Sequence, residues 1–431
     1  MVEPSGQSET VSRSYLTLLV TLVTIGVLMS AFDSVARNDA LPLILKYLHM
    51  SVAEGGLVLS GGFVATTLSN LAIGPLMDRF GRKNLFIAAL VATALTSGFT
   101  AFVTNVVEYA VIGFLAGVCL SVIGTGNVLV AEEAPRHIRG MLQGIVTAGF
   151  PMGTVVIGLV GSLVLPSGHW RILFLLSFSS ILLALVVALT LREPPRSAEA
   201  LQVKRHRRDI ERGQTIQTRY SIDEHKAVRQ EFWQIFAPDL RRQTITTSLF
   251  GFLVNFSVGF VIVLGVTFMV YYDHIGIGIA SLALLVEGAA TIVGEIVVGL
   301  LADRWVSRNI LILWNIIGGI AVGLFAVHGG EGWLFFIMAL FGFFGQGYQG
   351  TWWRYLNDSF PTRARGTGSS FVTGIYFFGL VFAPSIFGAV MTSGHYALVP
   401  VICAAIVIVG TLVLLFARKI EPQKDLEDIA S

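Results

Sequence analysis

The sequence predicts an all-α integral membrane protein, and its composition and hydropathy pattern both support this prediction. Of the 431 residues, 54% are hydrophobic and only 13% are charged. A soluble domain carries about 25% charged residues, so a soluble fold does not suit this composition. Apolar runs of the length that a helix needs to cross a bilayer recur along the chain, and no alternating β-barrel pattern is present. Helices are therefore the predicted spanning elements.

Twelve such runs are predicted, in two sets of six. The first set lies near 15–36, 55–77, 85–104, 107–131, 141–165 and 171–191. The second set lies near 244–272, 278–301, 308–328, 332–356, 367–391 and 396–417. The predicted organisation is an N-terminal segment (1–14), a six-helix bundle (15–191), a linker (192–243), a second six-helix bundle (244–417) and a C-terminal tail (418–431).

The basic residues predict the orientation in the membrane. With both termini and the linker in the cytoplasm, 25 of the 29 Lys and Arg residues fall on cytoplasmic segments, and the exceptions are Arg37, Lys46, Arg171 and Arg354. Because Lys and Arg concentrate on the cytoplasmic side, we expect a multi-pass protein of the plasma (cell inner) membrane with both termini inside. The N-terminus lacks the pattern of a cleaved signal, so the first run is expected to remain as a helix.

The composition also indicates which kinds of binding partner to expect. The net charge of +2 is too small to indicate a nucleic-acid partner. The two cysteines, Cys119 and Cys403, both lie in apolar runs and indicate neither a disulfide framework nor a metal site. We expect a monomer in the lipid bilayer that has a small-molecule substrate and no cofactor.

Two different motifs occur once in each half of the chain, at an offset near 225 residues. The first runs from Gly74 through Asp78, Arg79, Gly81 and Arg82 to Lys83, and its second copy contains Asp303 and Arg304. The second motif opens at Glu132 and contains Pro135 and Arg139, and its second copy opens at Asp358 and contains Pro361 and Arg365. Two motifs that recur in the same order indicate an internal repeat, with a substrate site between the halves near mid-membrane.

These loop motifs resemble those of the major facilitator superfamily over essentially the whole chain. The resemblance implies a secondary transporter that works by alternating access, without ATP or covalent chemistry, and not an enzyme. It also implies a cytoplasmic gate that stabilises the outward-facing state. The implied gate residues are Gly74, Asp78, Arg79, Gly81, Arg82, Glu132, Arg139, Asp303, Arg304, Arg354, Asp358 and Arg365. Val306 and Ser307 replace Gly and Arg in the second copy, which predicts a weaker contact there. The alternative is that these are ordinary cytoplasmic loop charges.

The linker between the two sets of runs is polar. It includes a basic stretch, 204–208, which is expected to be solvated and attracted to anionic lipid. Ser221 and Glu224 resemble a capping box. Val228, Phe232, Ile235 and Phe236 then share one face, with Trp233 beside them, which predicts an amphipathic helix on the inner membrane surface.

Ionisable residues within the predicted spans are the proton-coupling candidates, because such residues are costly in a membrane. Asp33 and Arg37 lie one turn apart on the first span and can pair. A carboxylate that exchanges between a base and a proton suits proton coupling, and Arg37 could then receive an anionic substrate. Glu287 and Glu295 on the eighth span are the next candidates. The alternatives are an outer-interface position for Asp33 and Arg37, and a neutral carboxyl satisfied by a neighbouring helix for the glutamates.

Polar residues of the tenth span are further substrate candidates. Gln346, Gln349 and Trp353 are predicted to share a helical face, which would suit a ring-shaped or polyhydroxylated ligand. Asn255 on the seventh span is a weaker candidate. The alternative for these amides is hydrogen bonding between helices.

Within the superfamily, the run from Phe32-Asp33 to Pro42 resembles aromatic-acid and other organic-anion proton symporters, although Ala31 replaces their glycine. The position of Trp353 resembles sugar porters, but Val261 and Ile262 replace their paired glutamines. The fifth-span segment Gly149–Gly153 departs from the drug–proton antiporter pattern. We therefore expect a proton-coupled symporter of a small organic acid. A sugar or polyol symporter is the alternative, and a drug antiporter or a non-transporting sensor is less favoured.

Overall fold

The computed structural model of the protein describes residues 12–119, 122–135, 138–194, 232–302, 304–327, 329–360 and 365–419. The side chains of 71–75, 78–79, 119, 122–123, 139–140, 232, 234, 357 and 365–366 are outside this description. Within the described ranges every regular element is a helix, and ten helical stretches are long and apolar enough to cross a membrane. The chain is thus an all-helical protein, as predicted.

In the N-terminal half, 12–194, the described residues form nine α-helices. They are α1 (Arg13–Asp39), α2 (Leu41–Leu48), α3 (Val52–Phe80), α4 (Arg82–Phe99), α5 (Val106–Cys119), α6 (Val122–Glu133), α7 (Arg139–Val164), α8 (Arg171–Leu176) and α9 (Ser179–Thr190). Short 3-10 turns extend α4 at Thr100–Phe102 and α7 at Leu165–Ser167.

The C-terminal half, residues 232–419, begins with a 3-10 turn at Phe232–Phe236. Its helices are α10 (Arg241–Gly259), α11 (Gly265–Tyr271), α12 (Ile277–Ala302), α13 (Ser307–Leu324), α14 (Glu331–Leu340), α15 (Gln349–Asp358), α16 (Arg365–Thr392) and α17 (Leu398–Val413). Two π-helical segments, Phe260–Leu264 and Phe341–Gln346, follow α10 and α14. A 3-10 turn at Leu414–Phe416 extends α17.

The ten apolar stretches correspond to ten of the predicted spans. The predicted span 107–131 is described as α5 and α6 on either side of residues 120–121. The predicted span 332–356 is not one regular helix, because the π-helical segment Phe341–Gln346 and a turn at 347–348 separate α14 from α15. Periodicity in the sequence does not reveal such an interruption, since an apolar run with glycines is compatible with either helix type.

The chain turns at two opposite ends of the molecule. We call the end with residues 39–52, 165–171, 272–277 and 392–398 the Asp39 end, and the end with residues 80–82, 191–194, 236–241 and 304–307 the Arg82 end. Local chemistry determines where the helices start. For example, Ser51 Oγ accepts from the backbone N–H of Glu54 while the backbone N–H of Ser51 donates to Glu54 Oε2, a capping box that begins α3.

The two halves are packed together by backbone contacts towards the Asp39 end. Gly56 of α3 lies against the backbone of Pro384 in α16, and Gly158 of α7 lies against the backbone of Leu285 in α12. A side chain at either glycine would overlap the facing helix, so glycine permits this close approach. The hydroxyls of Ser60 and Ser385 also join α3 to α16, with their oxygens 2.7 Å apart. The halves are therefore in close contact near the Asp39 end.

The described part of the predicted linker helix is the 3-10 turn Phe232–Phe236. Ile235 is fully buried beside Leu240, and Phe236 packs against Phe371 of α16, whereas Trp233 is exposed. The predicted segment from Ser221 to Val228, like the basic stretch 204–208, lies outside the described residues. The apolar residues Ile235 and Phe236, which were predicted to face the membrane surface, thus pack against α16 of the protein.

Candidate functional site

A small, largely apolar cavity that contains a few polar groups lies within the N-terminal half, between α1, α3 and α5. Its volume is about 30 Å³, which is room for one or two water molecules. It is lined by Ser34, Arg37, Asn38, Val58, Leu59, Gly62, Phe63, Thr66, Tyr109, Gly113 and Gly117. The cavity combines one guanidinium with hydroxyl and amide groups and with a wall of apolar side chains. This combination suits a small anion that carries an apolar group.

Arg37 is the charged group of this cavity. Its side chain is 7% exposed, and Nη1 donates a long hydrogen bond of 3.4 Å to the backbone oxygen of Gly113. Tyr109 also lines the cavity, and its buried hydroxyl has no hydrogen-bond partner among the described atoms. The guanidinium and the hydroxyl are both hydrogen-bond donors, so together they can bind both oxygens of a carboxylate. Sequence analysis did not identify Tyr109, since it lies in an apolar run without a recognisable motif.

Asp33 is directed to a different region from Arg37. Its carboxyl is 1% exposed, and Oδ1 accepts a short hydrogen bond from the hydroxyl of Ser177, which lies between α8 and α9. The Ser177 hydroxyl also lies 3.2 Å from that of Ser97 in α4. Asp33 Oδ2 has no hydrogen-bond partner among the described atoms. The carboxyl thus belongs to a buried cluster of hydroxyls inside the N-terminal half.

The pairing of Asp33 with Arg37 that the sequence suggested is not formed between these two described residues. The two positions are about 40° apart around α1, and each side chain is directed to a different helix. Asp33 contacts Ser177, whereas Arg37 contacts Gly113. Both residues are buried in the protein.

The two glutamates of α12 lie in the C-terminal half. Glu287 is 7% exposed, and its Oε1 accepts from the hydroxyl of Thr291 one turn later. The backbone at Glu287 packs against Gly342, and the backbone at Glu295 packs against Gly350. Both carboxyls are therefore attached to the part of α12 that lies against the interrupted tenth span.

Two of the three substrate candidates of the tenth span, Gln346 and Gln349, contact each other. Gln349 Nε2 donates to Gln346 Oε1 at 2.8 Å, even though the helix is irregular between them. Trp353 packs edge-on against Tyr376 of α16, with ring centroids 5.4 Å apart. The Tyr376 hydroxyl lies 3.2 Å from that of Tyr348. The tenth span thus carries a pair of bonded amides, and Trp353 and Tyr348 both contact Tyr376 of α16.

The π-helical segment Phe260–Leu264 is a point of contact between the halves. Asn38 Nδ2, at the cavity of the N-terminal half, donates to the backbone oxygen of Ile262 at 3.2 Å. Wide turns of this kind often occur at functional sites. The predicted candidate Asn255 lies one turn earlier, where its Nδ2 donates to the backbone oxygen of Tyr376 at 2.8 Å. In this conformation the Asn255 amide therefore joins α10 to α16, which is the alternative that sequence analysis left open.

Charged residues of the predicted gate meet at the Arg82 end. Arg82 Nε lies 2.9 Å from Glu132 Oε1, and Arg192 Nη2 lies 3.4 Å from Glu133 Oε2. In the C-terminal half, Arg354 Nε and Asp358 Oδ2 are 3.8 Å apart, and Arg304 is exposed. Among the expected gate residues, Asp303 lies outside the described residues. Only the backbone is described for Gly74, Asp78, Arg79, Arg139 and Arg365.

Glu193 is a further residue of this end that sequence analysis missed. Its carboxylate accepts from the backbone N–H groups of Arg82 at 2.6 Å and of Lys83 at 2.9 Å, which are the first residues of α4. It also lies against Gly81, whose φ of 93° ends α3. A carboxylate at a helix N-terminus satisfies unpaired N–H groups and interacts favourably with the helix dipole. A contact across 111 residues leaves no local signal in the sequence.

We expect Glu193→Ala to lower the stability of the purified protein by about 1 kcal/mol, the usual contribution of a helix cap. The loss should appear as a lower midpoint of thermal unfolding in detergent. Glu331→Ala is the matched control, since Glu331 lies exposed in the first turn of α14 without this contact. Equal midpoints for the two variants would contradict a capping role for Glu193.

The chain matches the sequence model of the Major Facilitator Superfamily over residues 23–377 and 247–430. It is 28% identical over 407 residues to the gallate transporter of Pseudomonas putida, covering 88% of this chain and 87% of the relative. It is 24% identical over 423 residues to the cis,cis-muconate transport protein of Acinetobacter baylyi, covering 92% of each chain.

Solved structures show the same fold at low identity. A D-xylose-proton symporter superposes with a TM-score of 0.76 at 16% identity, covering 94% of this chain and 98% of the symporter. A bacterial homologue of the human lysosomal transporter Spinster superposes with a TM-score of 0.71 at 16% identity, covering 94% of this chain and 95% of that chain. The family expected from the loop motifs is thus confirmed: the chain belongs to the Major Facilitator Superfamily, and it is a multi-pass membrane transporter and not an enzyme.

Proposed function

We propose that this protein imports a small organic acid, with aromatic carboxylates as the leading class, together with protons. The observation that carries the proposal is the buried Arg37 guanidinium, which lines a cavity with Tyr109, Ser34 and apolar side chains. A guanidinium that lines a cavity can donate paired hydrogen bonds to the carboxylate of a substrate. The relatives named for gallate and cis,cis-muconate transport support the same class.

We further propose alternating access between two six-helix bundles, 15–191 and 244–417, with the Asp39 end outside. The Arg82 end carries Arg82, Lys83 and further basic residues of the described chain, and such residues favour the cytoplasmic side. The contacts of Gly56 and Gly158 between the halves then close the outer side. A cavity of about 30 Å³ is too small for an aromatic acid, so the site must enlarge when this side opens.

Asp33 is the proposed proton-coupling carboxyl of this cycle, and Glu287 and Glu295 are the next candidates. Asp33 is buried on the same helix as Arg37, four residues away, so its charge state can influence the guanidinium through the short intervening distance. Gln346, Gln349 and Trp353 are proposed as contacts from the second bundle, and Asn255 stays a weaker candidate.

Arg82 and Glu132 are proposed as residues of a cytoplasmic gate, and their 2.9 Å ion pair would position them by joining the start of α4 to the end of α6 within the N-terminal half. The gate proposal extends to Gly74, Asp78, Arg79, Gly81 and Arg139, and to the weaker second copy at Asp303, Arg304, Arg354, Asp358 and Arg365. We propose the plasma membrane as the location and the monomer as the working unit.

Lumenal pH in proteoliposomes tests the transport proposal. Vesicles loaded with a pH dye are offered a panel of aromatic carboxylates, aliphatic carboxylates and neutral sugars. Empty vesicles run alongside, because weak acids cross bilayers unaided. We expect protein-dependent acidification with aromatic carboxylates and none with sugars.

A response to sugars alone would favour the sugar symporter, for which the Trp353–Tyr376 cluster is the supporting observation. A response only to lipophilic cations would contradict import and favour a drug–proton antiporter. Binding of a labelled acid without any flux would favour a sensor.

A further inference from the structure

Asp39 is a fully buried carboxyl at the junction of the two halves, six residues beyond Asp33 on α1. Its Oδ1 lies 2.8 Å from the hydroxyl oxygen of Ser281 in α12, which belongs to the other half. Its Oδ2 lies against Gly161 of α7 and has no hydrogen-bond partner among the described atoms. The carboxyl is thus enclosed by α1, α7 and α12 at the Asp39 end.

None of the charged or titratable groups described around this carboxyl forms an ion pair with it. On its own helix, Arg37 is directed to Gly113 and the cavity. Gly161 of α7 and Ser281 of α12 contribute no charge, and the nearest acid of α12, Glu287, is six residues beyond Ser281. In the elements next in contact, Lys46 of α2 is exposed, and the Tyr271 hydroxyl of α11 donates to the backbone oxygen of Pro42.

The hydroxyl geometry indicates which form of Asp39 this arrangement suits. The Ser281 hydroxyl oxygen lies 2.9 Å from the backbone oxygen of Ile277 and 2.8 Å from Asp39 Oδ1. A hydroxyl has one hydrogen, so it cannot donate fully to both oxygens. If Asp39 carries a proton, the acid donates to Ser281 and Ser281 donates to Ile277. An ionised carboxylate, by contrast, would be buried without an ion-pair partner among the described residues, which is strongly unfavourable.

We propose that Asp39 is a proton-operated lock of the Asp39 end: the halves close there when Asp39 is protonated and separate when it is ionised. Closure removes the carboxyl from water and places it against Ser281 and Gly161. Proton binding before closure removes the cost of burying a charge, so low pH favours the closed form. The residue is a positioning residue for the gate, because it does not line the cavity.

The lock differs from a proton carrier. Its proton binds when the Asp39 end is open and is trapped while that end is closed, so the proton returns to the side from which it came. Asp39 therefore makes gate closure depend on pH at that side without changing the number of protons transported per substrate. The side named here rests on the proposed function, which places the Asp39 end outside.

Cysteine accessibility tests the lock without any substrate, so its failure is distinguishable from failure of the transport proposal. In a Cys119→Ser, Cys403→Ser background, Ser60→Cys reports opening, because Ser60 is 6% exposed and contacts Ser385 across the halves. A membrane-impermeant maleimide is applied at acidic and alkaline pH to oriented vesicles. Ser167→Cys, which is exposed at the same end, corrects for the pH dependence of thiol reactivity.

We expect the corrected labelling of Ser60→Cys to rise several-fold from acidic to alkaline pH. Adding Asp39→Asn should hold it low at both values. Adding Ser281→Ala, which keeps the carboxyl but removes its partner, should increase labelling at acidic pH. The proposal would be overturned if labelling of Ser60→Cys alone did not rise with pH. It would also be overturned if labelling rose equally after Asp39→Asn was added. If Asp39→Asn does not fold, unchanged labelling of the Ser281→Ala variant at acidic pH overturns it equally.

Discussion

Asp33→Asn should abolish proton-driven accumulation of substrate while leaving the protein folded. Asparagine keeps an oxygen that can accept from Ser177, but it cannot take up a proton at ordinary pH. One coupled proton supports about tenfold accumulation per unit of pH gradient, since tenfold corresponds to about 1.4 kcal/mol. We therefore expect the accumulation ratio of the variant to fall to about one, while exchange of labelled for unlabelled substrate continues.

The measurement is uptake of a radiolabelled acid into proteoliposomes with an imposed pH gradient, alongside exchange without a gradient. Glu287→Gln and Glu295→Gln are the matched controls in the C-terminal half, each replacing a carboxyl with its amide. Retained accumulation in Asp33→Asn would remove Asp33 from the mechanism. If a glutamate variant alone loses accumulation, that glutamate replaces Asp33 as the coupling residue.

Arg37→Gln should have the second large effect, on substrate affinity. Hydrogen bonds to charged groups contribute about 1.5–3 kcal/mol, so the KM for an aromatic carboxylate should rise by about tenfold to a hundredfold. Arg37→Lys keeps the positive charge but loses the planar guanidinium that can bind both carboxylate oxygens. Its KM should therefore lie between those of Arg37→Gln and the parent protein. Tyr109→Phe removes only the hydroxyl and should raise KM by about two- to tenfold.

Competition between a carboxylate and its amide distinguishes this role from general damage. In the parent, benzoate should compete with labelled substrate much better than benzamide, because only benzoate is anionic. The difference should disappear in Arg37→Gln. If the variant still prefers benzoate as strongly as the parent does, Arg37 does not bind the carboxylate.

The sequence was sufficient to predict the helical fold and the family, but not the grouping of the polar side chains. Apolar runs and the recurring loop motifs are local patterns, and they located ten of the membrane-spanning stretches to within a few residues of their structural bounds. The interruption at Phe341–Gln346 was not predictable, because the spacing of hydrogen bonds in a glycine-rich apolar helix is decided by its neighbours.

The candidate site shows the same division. Asp33 and Arg37 were identified because charges inside apolar runs are conspicuous. Their separate environments depend on Ser177 and Gly113, which lie 144 and 76 residues away from them. Tyr109 was missed because its importance comes from an unpartnered hydroxyl in a cavity, which only the structure reveals.

The contacts of Gly56 and Gly158 have a consequence for the speed of transport. These contacts are formed by helix backbones, and no long side chain must find one rotamer each time the halves meet. Freezing flexible side chains costs conformational entropy, and a junction built on glycine avoids much of this cost. At these two contacts the Asp39 end can therefore open and close with little entropic cost from side chains, and the contacts should oppose opening mainly through the work of separating two smooth helix surfaces.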